Sequence, residues 1–116
     1  MRLILIALLL VPLALAAADV TGKWDFTVEL DAGSGNPTFT FKQDGEKLSG
    51  TYAGQLGQAP VTGTVRGDQI EFKFELKSDV GELTATFTGS VTDDTMKGKC
   101  VYSQLGSGTF AGKRSR

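Results

Sequence analysis

V-T-G-K-W-D-F-T-V-E-L, residues Val20 to Leu30, is the segment that decides the fold of this chain, because its apolar and polar residues alternate. The apolar parity comprises Trp24, Phe26, Val28 and Leu30. The polar parity comprises Lys23, Asp25, Thr27 and Glu29. A period of two is typical of a strand that turns one face to a core and the other to water. The segment therefore predicts a half-buried β-strand.

The same alternation recurs along the rest of the chain, in short segments that turn signals separate. The breaks lie at residues 32–37, 44–45, 54–60, 66–69, 77–82, 92–95 and 104–108. Asp44-Gly45 is typical of a tight hairpin, whereas residues 54–60 indicate a looser connection. Seven such breaks predict eight strands.

Each later strand also has one apolar parity, which predicts a single continuous core. Its members are Phe39, Phe41, Leu48, Tyr52, Val61, Val65, Ile70, Phe72, Phe74, Leu76, Leu83, Ala85, Phe87, Val91, Met96, Cys100, Tyr102 and Phe110. All seven Phe, both Tyr and the one Trp of the chain have this parity. The opposite face is rich in threonine, lysine and glutamate, and β-branched threonine on a solvent face favours strands.

The strand order predicted by these segments is an antiparallel meander, because the connections are short. An even number of strands lets the last one pair with the first, which closes a barrel and removes exposed edges. Glycine interrupts the apolar parity in mid-strand, as the sharp bends of a small barrel require, at Gly50, Gly63, Gly89, Gly98 and Gly112. We predict an all-β fold, an eight-stranded antiparallel up-and-down barrel, with a β-sandwich as the alternative.

The first residues have the pattern of a secretory signal peptide. Met1-Arg2 supplies a positive charge, Leu3 to Leu15 is apolar, and small residues offer cleavage after Ala16 or Ala18. The apolar run is shorter than the roughly 20 residues that a membrane-spanning helix needs. We expect residues 1–18 to be removed and residues 19–116 to form one domain, secreted or periplasmic, with no membrane attachment.

The composition excludes several classes of function. A net charge of −1 argues against nucleic acid as a partner, because duplex binding needs a basic field. The chain has no histidine, which removes the usual general base and the commonest transition-metal ligand. Cys100 is the single cysteine and has inward parity, so we expect a buried and inert thiol.

Carboxylates are the remaining candidates for catalysis, and their positions do not favour it. Those on the strands have outward parity and are Asp25, Glu29, Glu71, Glu75 and Glu82. A catalytic acid needs a pKa raised by burial, which solvated positions do not supply. We therefore expect a protein that is not an enzyme, with no catalytic residue, cofactor or metal.

Two short motifs give the chain a resemblance to a known group of barrels. Gly22-Lys23-Trp24 stands at the start of the first strand, and Arg114 stands on the last one. In these features the chain resembles the calycins, which include lipocalins, avidins and fatty-acid-binding proteins, and is similar to small secreted bacterial proteins. Leu48 to Tyr52 also resembles the early strands of avidins. The resemblance implies a barrel in which Arg114 packs across Trp24, and it implies ligand binding as an expectation.

The interior decides between two functions. An eight-stranded barrel is just wide enough either to be filled by its own side chains or to hold one small ligand. In the first hypothesis a small hydrophobic molecule binds an interior cavity lined by Trp24, Tyr52, Phe72, Tyr102, Phe110 and Arg114. In the alternative, which large rings in a short barrel favour, the core is filled and the protein is an interaction or inhibitor module whose loops, residues 32–37 and 54–60, contact a protein. In both cases we expect a monomer or a weak dimer.

Overall fold

A computed structural model describes residues 18–78 and 81–115 of the chain. These residues form β1 (Gly22–Leu30), β2 (Gly33–Gly35), β3 (Thr38–Asp44), β4 (Lys47–Gly54), β5 (Gly57–Arg66), β6 (Gln69–Ser78), β7 (Gly81–Thr92), β8 (Thr95–Tyr102) and β9 (Gly106–Arg114). The two ranges contain no helix of the length and apolarity that a membrane span requires. The predicted signal peptide lies outside the described residues, except for Ala18.

The strands close into the barrel that the sequence predicts. From β3 to β9 each strand pairs antiparallel with the next. β1 pairs with β9, so that Trp24 lies opposite Arg114 and Leu30 lies opposite Gly108. On its other edge β1 pairs with β3, where Trp24 lies opposite Phe39. The eight strands β1 and β3–β9 therefore form a closed up-and-down barrel, and the sandwich alternative is wrong.

The first connection differs from the prediction because it contains a short strand of its own. β3 pairs only with residues 22–25 of β1. The strand β2 folds back and pairs with residues 28–30 on the same edge of β1. Between the segments of β1 that pair with β3 and with β2, the Phe26 amide donates to the Pro37 carbonyl at 3.0 Å. Backbone groups left unpaired on that edge would cost free energy, which explains why the predicted loop forms a ninth strand.

Two further connections are tighter than predicted. Gly54 pairs with Gly57, so the turn consists of residues 55–56 alone and is shorter than the predicted connection, residues 54–60. β9 already begins at Gly106, inside the break predicted at 104–108. Gly57 and Gly106 have φ angles of 123° and 96°, which only glycine adopts without strain. These glycines allow strand pairing to resume directly after the turn.

The barrel interior is the hydrophobic core that the parity predicts. Every Trp, Tyr and Phe side chain is buried, the most exposed being Tyr102 at 4%. Cys100 is buried among them, and burial raises the pKa of its thiol to about 11, so the thiol stays protonated near neutral pH. Leu76 and Leu83, also predicted to face inward, are only partly buried, because they lie where β6 ends and β7 begins.

The two ends of the barrel differ. At one end, which we call the closed end, residues 18–21 lie beside the start of β1. The Ala18 amide donates to the Gly67 carbonyl at 2.8 Å, and the amide of the fully buried Val20 donates to Oε1 of Gln43 at 2.9 Å. At the opposite end, which we call the open end, lie residues 31–37, 55–56 and 103–105.

Cleavage after Ala18 rather than Ala16 is expected to weaken the fold. A chain that begins at Asp19 lacks the Ala18 bond to Gly67 and places an α-ammonium group beside Arg114, which already donates to the Asp19 carbonyl at 2.8 Å. Losing one hydrogen bond costs about 1 kcal/mol, so its melting temperature should be about 4–8 °C below that of a chain beginning at Ala17. Circular dichroism on the two chains measures the difference, and equal melting temperatures would contradict it.

Candidate functional site

Phenylalanine rings fill the middle of the barrel. The Phe26 ring centroid lies 4.6 Å from that of Phe39 and 5.3 Å from that of Phe110. Phe72 stacks on Phe87 with centroids 4.8 Å apart and planes only 9° from parallel. These separations are those of rings in direct contact. The middle of the barrel is thus occupied by side chains of the protein itself.

The six residues predicted to line an interior cavity lie at three levels of the barrel. From the closed end to the open end they are Trp24 with Arg114, Phe72 with Phe110, and Tyr52 with Tyr102. The members of each pair are neighbours, and the middle pair belongs to the packed rings. The structure therefore brings the six together in pairs and does not place them around one common cavity.

Arg114 holds the closed end together. Its Nη1 and Nη2 atoms donate to the carbonyls of Thr21 and Asp19, each at 2.8 Å. Its Nε donates to Oδ1 of Asp94, also at 2.8 Å. The guanidinium carbon lies 4.7 Å from the centre of the Trp24 ring, as the resemblance to calycins implied. All of these partners belong to the fold itself, so Arg114 has a structural role here.

Trp24 lies beneath the Arg114 guanidinium and is shielded from solvent. The indole is fully buried, and its Nε1 donates to the Val20 carbonyl at 2.9 Å. The N-terminal segment thus supplies the hydrogen-bond acceptor that a buried indole needs. The polar atom of Trp24 is already satisfied by the protein.

The open end carries a pocket of about 180 Å³, which we call the rim pocket. It is lined by Val28, Leu30, Ala32, Gly33, Ser34, Gly35, Asn36, Pro37, Tyr52, Gln55, Leu56, Tyr102 and Leu105. The lining comes from the end of β1, the strand β2 and the loops around it, the strands β4 and β8 and the turns that follow them, so the unpredicted ninth strand forms one of its walls. The apolar side chains among these residues make the rim pocket suited to an apolar guest.

Tyr52 packs between a neighbouring ring and a turn in this pocket. Its ring stacks on Phe74 with centroids 4.1 Å apart, and its hydroxyl reaches the turn at Gly54, where a Cβ atom would lie 2.6 Å from the hydroxyl oxygen. Burial raises the pKa of Tyr52, and a backbone hydrogen bond from Leu56 opposes that rise. The Tyr52 hydroxyl is therefore engaged by the adjacent turn.

Tyr102 lines the same pocket. Its ring packs edge-on against Phe74 and Phe87, at centroid distances of 6.0 and 5.7 Å. Burial raises the pKa of the Tyr102 hydroxyl far above its usual value, and the neighbouring Tyr52 and Cys100 raise it further. The phenol of Tyr102 stays protonated at physiological pH and is available as a hydrogen-bond donor.

Two leucines of the lining are not singled out by the sequence pattern. Leu56 lies in the loop 54–60 that the alternative hypothesis assigns to a protein partner, and Leu105 lies in the predicted turn 104–108. Leu56 is 47% exposed, and Leu105 is partly buried against the core. A leucine in a turn does not belong to the apolar face of any strand. A large apolar residue at such a position is the signal in the sequence that could have indicated this site.

The strand carboxylates lie where the parity placed them. Asp25, Glu29, Glu71, Glu75 and Glu82 are all exposed on the outer face of the barrel. Within residues 18–78 and 81–115, no three Cys, Asp or Glu side chains are grouped as a metal site would need. None of these five carboxylates lines the rim pocket.

Comparison with known proteins adds no assignment: no family model matches the chain, and no curated protein matches it. The closed antiparallel barrel is consistent with a calycin-like fold. A fold of this kind does not determine function, which depends on the residues of the site.

Proposed function

We propose that this protein is a binding protein without enzymatic activity that holds one small apolar ring in the rim pocket. The observation that carries the proposal is the contrast between the two parts of the interior. Rings fill the middle of the barrel, whereas a pocket of about 180 Å³ at the open end is lined mainly by apolar side chains and two tyrosines, together with Ser34, Asn36 and Gln55. The predicted signal peptide supports a site of action outside the cytoplasm, secreted or periplasmic.

The volume of the pocket sets the size of the guest. An apolar cavity of about 150 Å³ in a protein core is known to take up benzene. Pockets for drug-sized ligands measure roughly 300–1,000 Å³. At about 180 Å³ the rim pocket fits a single six-membered ring with one or two substituents and is too small for a fatty acid or a sterol.

A second function is favoured by the exposure of Leu56. This side chain is 47% exposed beside the pocket, although it is large and apolar. Well-packed pockets in protein interfaces commonly receive one anchor side chain of the partner, and Leu56 would add apolar contact area beside such an anchor. The alternative is thus an interaction or inhibitor module that uses the same pocket.

Toluene is the probe that tests the proposed function. We expect amide chemical shifts of residues around the rim pocket to saturate with a dissociation constant on the order of 1 mM, since so small a ligand makes few contacts. A titration followed by ¹⁵N–¹H correlation spectra measures this. The proposal fails if no shift change saturates.

Gly35→Leu is the variant that should block this binding. Gly35 lines the pocket opposite Val28, so its side chain would share the inward face. A Cβ there would have Gln55 Oε1, 3.9 Å away, as its nearest neighbour, which leaves room for leucine to occupy the pocket. We expect at least tenfold weaker toluene binding, whereas Thr109→Leu, on the exposed outer face, should bind as the wild type does.

A further inference from the structure

The Tyr102 hydroxyl is a buried polar group without a partner in the described part of the chain. Tyr102 is 4% exposed and lines the rim pocket. Within residues 18–78 and 81–115, its hydroxyl makes no hydrogen bond. Buried polar groups in proteins are almost always hydrogen-bonded, because an unpaired one costs the free energy of its desolvation. A guest that bonds to this hydroxyl would therefore gain an interaction that the empty fold does not make.

The other polar side chains of the pocket have different surroundings. The Tyr52 hydroxyl lies against the turn at Gly54, and the Leu56 backbone opposes the rise that burial gives the Tyr52 pKa. Asn36 and Gln55 are exposed, so water hydrates their amides. Tyr102 combines a place in the pocket, near-complete burial and a hydroxyl without a hydrogen bond among the described residues.

We propose that the guest of the rim pocket is a phenol: one aromatic ring that fills the apolar walls and carries a hydroxyl bonded to Tyr102. This inference rests on the proposed function and specifies its ligand class. The phenol oxygen accepts a hydrogen bond from the Tyr102 hydroxyl, and the phenol hydroxyl donates a hydrogen bond to water or to the carbonyl oxygen of a rim amide. The same chemistry is offered by a free phenol and by the tyrosine side chain of a polypeptide.

The comparison of p-cresol with toluene isolates the hydroxyl, because the two molecules share the methylated ring. We expect p-cresol to bind the wild-type protein about fivefold to tenfold more tightly, as one additional buried hydrogen bond allows. Titrations monitored by ¹⁵N–¹H correlation spectra give both dissociation constants. Equal affinities, or a preference for toluene, would overturn the inference while leaving the proposed function intact. If neither molecule binds, the proposed function itself fails.

Tyr102→Phe tests whether that preference comes from this residue. The change removes a hydroxyl that has no partner among the described residues, so the fold should persist, and a thermal melt checks this. We expect the variant to bind toluene like the wild type and to lose the preference for p-cresol. Thr109→Val, which removes a hydroxyl from the exposed outer face, is the matched control and should keep the preference. A preference that survives in Tyr102→Phe would contradict the assignment.

A tripeptide that contains one tyrosine and has blocked termini distinguishes the two sources of the phenol, a free small molecule and a polypeptide side chain. If its affinity exceeds that of p-cresol, contacts outside the pocket contribute and the natural guest is a polypeptide. If its affinity is lower, its backbone is excluded at the rim and the natural guest is a free phenol. In either case the peptide should lose affinity in Tyr102→Phe, and an unchanged affinity would count against the inference.

Discussion

Trp24→Ala should lower the free energy of unfolding by about 3–5 kcal/mol, the usual cost of deleting a buried aromatic side chain. The indole is fully buried, donates a hydrogen bond to the Val20 carbonyl and lies under the Arg114 guanidinium. Its removal leaves a cavity, frees a buried carbonyl and ends a cation–π contact that contributes about 1 kcal/mol. The expected loss of stability is large because one substitution removes all three contributions at the closed end.

Chemical denaturation followed by circular dichroism measures this loss. Val101→Ala is the control, because Val101 is 54% exposed on the outer face and should change stability by less than about 0.5 kcal/mol. If Trp24→Ala cost no more than Val101→Ala, the closed end would not be packed as described.

Gly98→Ala should cost about 3 kcal/mol or more, at the upper limit of what overpacking costs. Gly98 lies opposite Gly89 in the pairing of β7 with β8. A Cβ atom at Gly98 would overlap the Thr88 carbonyl oxygen and lie 2.5 Å from the Gly89 Cα. These are backbone atoms of the neighbouring strand, so the clash can be relieved only by separating two hydrogen-bonded strands.

Gly35→Ala is the matched control for this prediction. Gly35 also lies on a strand, its φ is ordinary, and a Cβ there would meet nothing closer than 3.9 Å. Alanine at such a site should be neutral or stabilise by up to about 1 kcal/mol through the unfolded state. Denaturation midpoints of the two variants give the comparison, and equal stabilities would show that the β7–β8 contact is looser than described.

The barrel could be predicted from the sequence because one physical signal repeats in every long strand. Alternation of apolar and polar residues fixes which face is buried, and short turns fix the order of the strands. The strand β2 could not be predicted in this way, since Gly-Ser-Gly has no apolar alternation. It forms because β3 pairs with only the first part of β1, which is a consequence of register and not of local sequence.

The site could be predicted only in part, for a related reason. Parity places Trp24, Phe72 and Tyr102 inside the barrel but carries no information on height along its axis. That height depends on the stagger between strands, and the stagger separates these residues into a closed end, a packed middle and an open end. The sequence therefore predicts the tyrosines that line the rim pocket but groups them with residues at other levels.

Leu56 and Leu105 show a second limit. Each stands in a turn, where the neighbouring residues indicate only that the chain reverses. Their place in the rim pocket follows from two turns that meet across the open end, together with β2. Contacts between turns distant in sequence arise from closure of the barrel, which no local pattern encodes.

A crystal of the protein soaked with 4-bromotoluene tests the central claim most directly, because anomalous scattering locates the bromine without ambiguity. The account predicts one bromine site in the rim pocket, bordered by Val28, Tyr52 and Leu105. A bromine site beside Trp24, or no bound bromine at all, would contradict the claim that the open end is where this barrel binds its guest.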